Sequence, residues 1–142
     1  MNDIVNWLLL LLFMIFAHII DDYFLQNILA KLKQKKYWED EVKDFNHSIY
    51  QYDYIPALIC HAFEWSTMIM IPVFIYNHFL LDDKYIIKLL IILCISANTI
   101  FHAIIDNHKA NLFTINLWQD QLLHLLQILL TWIAIISNMQ GG

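Results

Sequence analysis

Glycine and proline are nearly missing from this chain, with two of each in 142 residues, too few for a loop-rich soluble fold. Cysteine is as scarce. Cys60 and Cys94 fall in different apolar stretches, which argues against a disulfide, and both thiols read as buried apolar fillers. Arginine is absent, so all eight basic residues are lysine. No basic segment precedes the first apolar run and no small-x-small cleavage site follows it; Asp21, Asp22 and Tyr23 come instead. That run therefore reads as a retained span rather than a removed signal.

What the chain does contain is apolar: 60% of it is hydrophobic. Residues 4–26, 54–77, 85–106 and 117–137 each match the roughly 20 apolar residues needed to cross about 30 Å of hydrocarbon. The expectation is one integral membrane domain over 1–142, an all-α four-helix transmembrane bundle of two helix hairpins. Lys31, Lys33, Lys35, Lys36 and Lys43 lie between the first and second spans and Lys109 between the third and fourth, whereas Lys84 occupies the remaining loop and Lys88 is just inside the third span. The positive-inside rule then makes the first and third loops cytoplasmic and puts both termini on the other side of the inner membrane. Residues 27–53 form the only sizeable extramembrane segment. Helix formers dominate its first half, predicting an amphipathic helix that continues the first span beneath the inner leaflet, although a solvated charged loop fits the sequence equally well.

Within the spans, His18 and Asp22, His102 and Asp106, and Asp120 and His124 are each four residues apart, a spacing that puts both side chains on one helix face. His61 stands near the start of the second span. The lysine-derived topology, which uses none of these residues, brings all four histidines to similar depth at the cytoplasmic end. Unpaired ionisable groups inside a membrane helix cost up to about 2.5–3.5 kcal/mol each at mid-bilayer, so this load calls for compensation. A divalent cation supplies it, since neutral imidazole and carboxylate are ligands for Zn, Mn or Fe. The number of ligands predicts two ions, with His18, Asp22 and His61 as one half-site and His102, Asp106 and His124 as the other. Asp120 is the member without a counterpart. The absence of cysteine from the cluster argues against a closed structural zinc site. Glu64 and Asp120 are candidate general bases, and Lys109, three residues past Asp106, is placed to meet an anionic group. Gln26 and Gln121 read as hydrogen-bonding supports for the ligands. His47, His78 and His108 carry no pattern and read as loop or interfacial residues.

In this order, His18-x-x-x-Asp22-x-x-x-Gln26, an isolated His61, His102-x-x-x-Asp106-x-x-Lys109 and Asp120-Gln121-x-x-His124, the chain resembles the small bacterial and phage membrane proteins catalogued as domain of unknown function 3307. The likeness spans nearly the whole chain and implies no particular activity. More distantly, the His and Asp pattern is similar to membrane-bound metal-dependent hydrolases, whose paired-proline and aspartate motifs are missing here. The Lys, Asn and Ile bias without arginine fits an AT-rich genome such as that of a phage.

The leading expectation is an inner-membrane, metal-dependent hydrolase of phosphoester or lipid-headgroup type. Its partners would be membrane lipids, a phosphate-containing substrate and a second copy of the chain; no nucleic acid is expected. Competing readings are a metal or proton transporter, which needs polar residues continuing toward the outer face, and a non-enzymatic phage membrane factor that binds a host protein. A diiron oxidoreductase lacks its paired Glu-x-x-His signature.

Overall fold

The computed structural model describes residues 2–41, 47–81 and 84–140. Lys43 and the side chain of His47 lie outside the described residues. Four long helices dominate: α1 (Asn2–Ile20), which continues into a π-type turn (Asp21–Leu25), α5 (Tyr54–Leu80), α6 (Tyr85–Ala110) and α7 (Leu117–Gln140). Three short helices, α2 (Leu29–Leu32), α3 (Lys35–Glu41) and α4 (His47–Tyr50), occupy the connection between α1 and α5. The described residues contain no strand, and the fold is an all-α four-helix bundle.

All four long elements are long and apolar enough to cross a membrane, at 23, 27, 26 and 23 residues. At 1.5 Å per residue they reach roughly 35–40 Å, past a hydrocarbon core of about 30 Å. The helices therefore outrun the apolar runs in the sequence, α5 to Leu80, α6 to Ala110 and α7 to Gln140. Backbone hydrogen bonding continues until polar side chains or water can take over the last carbonyls. Pro56 sits in the first turn of α5, where a missing N–H costs nothing, and Pro72 is tolerated mid-helix.

The long helices form a ring in which α5 packs on α1 and α6, and α7 closes the circle against α6 and α1. The most extensive packing is between α5 and α6, across the two sequence hairpins rather than within either one. Ile69, Met70 and Val73 of α5 meet Met14, Ile87, Ile91, Ile128 and Ile135 in an apolar core. Large apolar side chains such as Leu12, Phe16, Phe63, Ile92, Ile100 and Leu130 are exposed all round. That exterior suits lipid rather than water. Cys60 belongs to it and is exposed rather than buried, while Cys94 is half-buried. Alternation around α5 explains the difference, because His61 and Ala62 take the inward positions.

The segment after α1 does not extend that helix. Asn27 adopts φ 38°, in the left-handed region that Asn tolerates better than most residues, and the chain turns back. α2 packs against α5, and Trp38 Nε1 donates to the Leu32 carbonyl at 2.8 Å, folding α3 onto α2. Asn111, just past α6, pins this turn by accepting from Lys35 N at 2.7 Å and donating to the Lys33 carbonyl at 3.1 Å. The lysine-rich segment thus closes the end of the bundle.

Candidate metal centre

The four histidines sit seven or eight residues inside the helix ends, roughly 10 Å deep at 1.5 Å per residue, and Asp22, Asp106 and Asp120 one turn nearer those ends, on the side where α1 and α6 finish and α5 and α7 begin. Each i, i+4 pair read from the sequence meets: His18 Nδ1 lies 3.7 Å from Asp22 Oδ2, His102 Nε2 lies 3.8 Å from Asp106 Oδ2, and His124 Nε2 lies 3.4 Å from Asp120 Oδ1. At the end of α1 the wide turn, closed by Gln26 N donating to the Asp21 carbonyl at 3.1 Å, advances less than the ordinary 100° per residue. Both adjacent aspartates consequently turn inward. Asp21 is fully buried with neither carboxylate oxygen hydrogen bonded, and Asp22 accepts from Gln26 Nε2 at 3.0 Å and Gln121 Nε2 at 3.1 Å.

Asp106 is the hub. Its Oδ2 lies 3.4 Å from His61 Nε2 and 3.8 Å from His102 Nε2, and those two nitrogens are 3.2 Å apart. On the other side, Asp106 Oδ1 lies 3.4 Å from His124 Nε2. The His61–His102 contact is within hydrogen-bond reach, whereas the two 3.4 Å contacts are long for hydrogen bonds and close to the edge of a coordination tetrahedron, in which metal–ligand bonds of about 2.0–2.1 Å place ligands roughly 3.3–3.4 Å apart. Two triads have ligand atoms mutually within 4.8 Å, namely Asp22 with His61 and His102, and His102 with Asp106 and His124. Aromatic stacking holds the rings: the buried Trp65 indole lies face to face on His102 at 4.2 Å, and His102 stacks on His124 at 4.2 Å.

The fold assembles the second half-site inferred from the sequence, His102 with Asp106 and His124, but not the first, His18 with Asp22 and His61. His61 and Asp22 come together with His102 of the other hairpin, because α5 packs most closely on α6. His18 belongs to neither triad. Its Nδ1 accepts from Trp65 Nε1 at 2.8 Å, which puts the proton of a neutral ring on Nε2 and removes the lone pair that a metal would need there. Asp120 lies beside His124 with Oδ1 buried and without a hydrogen-bond partner, while its Oδ2 accepts from Lys109 Nζ at 2.6 Å and Gln121 Nε2 at 3.2 Å. Glu64 is half-buried and outside both triads. Among the unpatterned histidines, His108 bonds Thr114 Oγ1 at 2.8 Å and closes the turn after α6, and His78 is still helical, parallel to the Phe74 ring and edge-on to Phe79.

Four residues that shape the site escaped sequence reasoning. Lys33, only 8% exposed, donates through Nζ to Asp106 Oδ2 at 2.5 Å. Nothing in the run KLKQKK separates it from its neighbours. Trp65 had a signal, since it lies four residues from His61 on the same face. Asp21 became visible only through the π-type turn, and Asn111 only through the fold of α2 onto α6.

Charge gives an independent measure of fit. Four inward carboxylates, Asp21, Asp22, Asp106 and Asp120, face two ammonium groups, Lys33 and Lys109. Asp21 and Asp22 are left without an ammonium partner, an imbalance that a divalent cation would offset, and His61, His102 and His124 each keep an Nδ1 without a hydrogen-bond partner. Below this layer Asn98, Gln127 and Thr131 hydrogen bond one another, with Gln127 Nε2 to Asn98 Oδ1 at 2.9 Å, and beyond them the core is apolar. Above it, a cleft of about 310 Å³ lined by Gln26, Lys33, Gln34, Asp106, Lys109 and Phe113 leads from the polar end of the bundle to Asp106. Comparison of the chain with protein-family models, with curated proteins and with solved structures gave no match.

Proposed function

We propose that the protein is an inner-membrane, metal-dependent hydrolase of the phosphoester or lipid-headgroup type, in which Asp22, His61, His102, Asp106, Asp120 and His124 would hold divalent ions, Zn, Mn or Fe. The observation that carries this reading is the 3.2–3.8 Å spacing of His61 Nε2, His102 Nε2 and Asp106 Oδ2, with His124 Nε2 at 3.4 Å from the other Asp106 oxygen. Bound ions would polarise the phosphoryl oxygens and acidify water. The chain's own part is to hold the phosphate group at Lys109 and to move protons. As water adds to phosphorus and the ester P–O bond breaks, Asp120 takes the water's proton through its free Oδ1 and returns it to the leaving alkoxide. Glu64 is the alternative base.

The lysines at the site end support a cytoplasmic mouth, with both termini across the membrane. The motif order supports placing the chain among the proteins catalogued as domain of unknown function 3307. Transport fits less well, because the polar column ends at Asn98, Gln127 and Thr131 against a core of Met14, Ile69, Ile87 and Ile135.

Elemental analysis of detergent-purified protein in phosphate buffer, followed by turnover against phosphomonoesters, phosphodiesters and phospholipids, tests the function. A metal-to-chain ratio near two with turnover of at least one class is expected. A chain that binds no metal, or keeps its metal without turning over any member of the panel, overturns it.

A further inference from the structure

Lys33 and Lys109 flank the cleft, yet each spends its charge on a carboxylate: Lys33 Nζ on Asp106 Oδ2 at 2.5 Å, and Lys109 Nζ on Asp120 Oδ2 at 2.6 Å. The Asp106 oxygen that Lys33 holds is the one approached by His61 and His102. A divalent cation bound between these two imidazoles and Asp106 would compete for the same lone pairs and repel the ammonium a few ångströms away. Lys33 has somewhere to go. Its backbone is fixed by Asn111, but its side chain is a flexible four-carbon stem that already borders the cleft.

Resting on the metal centre proposed above, we propose that the cleft between α2 and the end of α6 is a phosphate-group site switched on by metal binding, which displaces Lys33 from Asp106 so that it joins Lys109 facing the cleft. Without metal the two ammonium groups are neutralised and the cleft offers an anion little. With metal, Asp106 is satisfied by the ion and the Lys33 charge becomes available. The cleft's 310 Å³ lies at the lower end of the roughly 300–1,000 Å³ of small-molecule sites. Its wall carries Gln26 and Gln34 as further hydrogen-bonding groups, and the exposed Phe113 stands at its rim. Exposed Phe24 and Trp118 at the same end of the bundle are side chains suited to the lipid–water interface. A phosphate group therefore reaches this cleft from either a lipid headgroup or a free phosphate compound. Linkage is reciprocal: whatever factor metal adds to phosphate affinity, phosphate adds to metal affinity.

The test uses the full chain in phosphatidylcholine nanodiscs, metal-free or loaded with Zn²⁺ and freed of excess metal, with inorganic phosphate as the probe. Metal-loaded protein is expected to bind phosphate at least about tenfold more tightly than metal-free protein, within the usual range of coupling between sites. Lys33→Gln should bind Zn²⁺ more tightly than the natural chain, because a competitor is gone, and its metal-loaded form should bind phosphate about tenfold more weakly. A lysine with a merely structural role would not strengthen metal binding when removed. Should the glutamine variant fail to fold, Lys33→Arg, which keeps the charge, must preserve the metal dependence. Displacement of phosphate by phosphatidic acid in the disc assigns the lipid source, and its absence assigns a free phosphate compound. Zn²⁺ binding with unchanged phosphate affinity, or a Lys33→Gln chain that binds Zn²⁺ no more tightly, overturns this inference and leaves the metal centre standing. Failure to bind Zn²⁺ overturns the metal centre itself.

Discussion

At Asp106 three imidazole nitrogens and one ammonium group converge on a carboxylate that is 3% exposed. Asp106→Asn keeps the shape and removes the charge, leaving Lys33 buried against a neutral amide. Breaking a buried ion pair from one side costs about 3–5 kcal/mol, so this variant should be destabilised by that amount and should lose its metal. Adding Lys33→Met removes the stranded charge and should restore most of the stability but none of the metal binding. Unfolding in mixed detergent and elemental analysis separate the two effects; if the double variant is no more stable than Asp106→Asn, the pair is not what Asp106 contributes. The same residues show what the sequence reveals at this scale. His102 and Asp106 were legible because i, i+4 spacing is fixed by helix geometry. Lys33 was not, because a lysine among lysines carries no sign of which one the backbone turns inward. His18 was legible as an inward residue, but its role depends on the Trp65 N–H, a contact made across two helices that spacing along one helix cannot reveal.

The long helices were legible as elements, since apolar runs of membrane length leave the backbone no other way to satisfy its hydrogen bonds. The connection from α1 to α5 was not. Its helix formers pointed to a continued amphipathic helix, and the outcome was decided by two local backbone features, the π-type turn at Asp21–Leu25 and the positive φ at Asn27. Asn27 is where a substitution isolates the second feature. A left-handed conformation costs most residues roughly 1–2 kcal/mol, Asn less and Gly almost nothing. Asn27→Gly should leave stability within about 0.5 kcal/mol of the natural chain, whereas Asn27→Val, β-branched and stiff, should cost about 2 kcal/mol. The turn at Asn27 also carries Lys33 to Asp106. In the valine variant, therefore, Lys33→Met should add less destabilisation than it does in the natural chain, measured as a double-mutant cycle. Equal stability of the glycine and valine variants would mean that the turn is not held in this conformation.

For the molecule as a whole, apolar burial cannot drive the helices together, because in lipid the exterior is as favourable to leucine as the core. What distinguishes the assembled bundle from separate spans is its polar layer, which draws on all four long elements: Asp22 follows α1, His61 lies on α5, His102 and Asp106 on α6, and Asp120 and His124 on α7. A cation in that layer would therefore tie the ring together at the point where each helix is least at home in hydrocarbon. A ligand that binds only the folded state adds RT ln(1 + [L]/Kd), about 2.7 kcal/mol at a hundredfold excess over Kd. Metal-loaded protein should accordingly resist unfolding by denaturing detergent by about that margin over chelator-treated protein. The margin should grow with free metal at about 1.4 kcal/mol per tenfold concentration for each ion taken up, and twice that slope would report a pair. In His102→Ala, which removes the residue common to both triads, the slope should fall by at least one ion's share while the apolar ring of α5, α6 and α7 stays intact. A bundle whose stability ignores free metal, at concentrations where elemental analysis finds the ion bound, would place that ion somewhere other than between these helices.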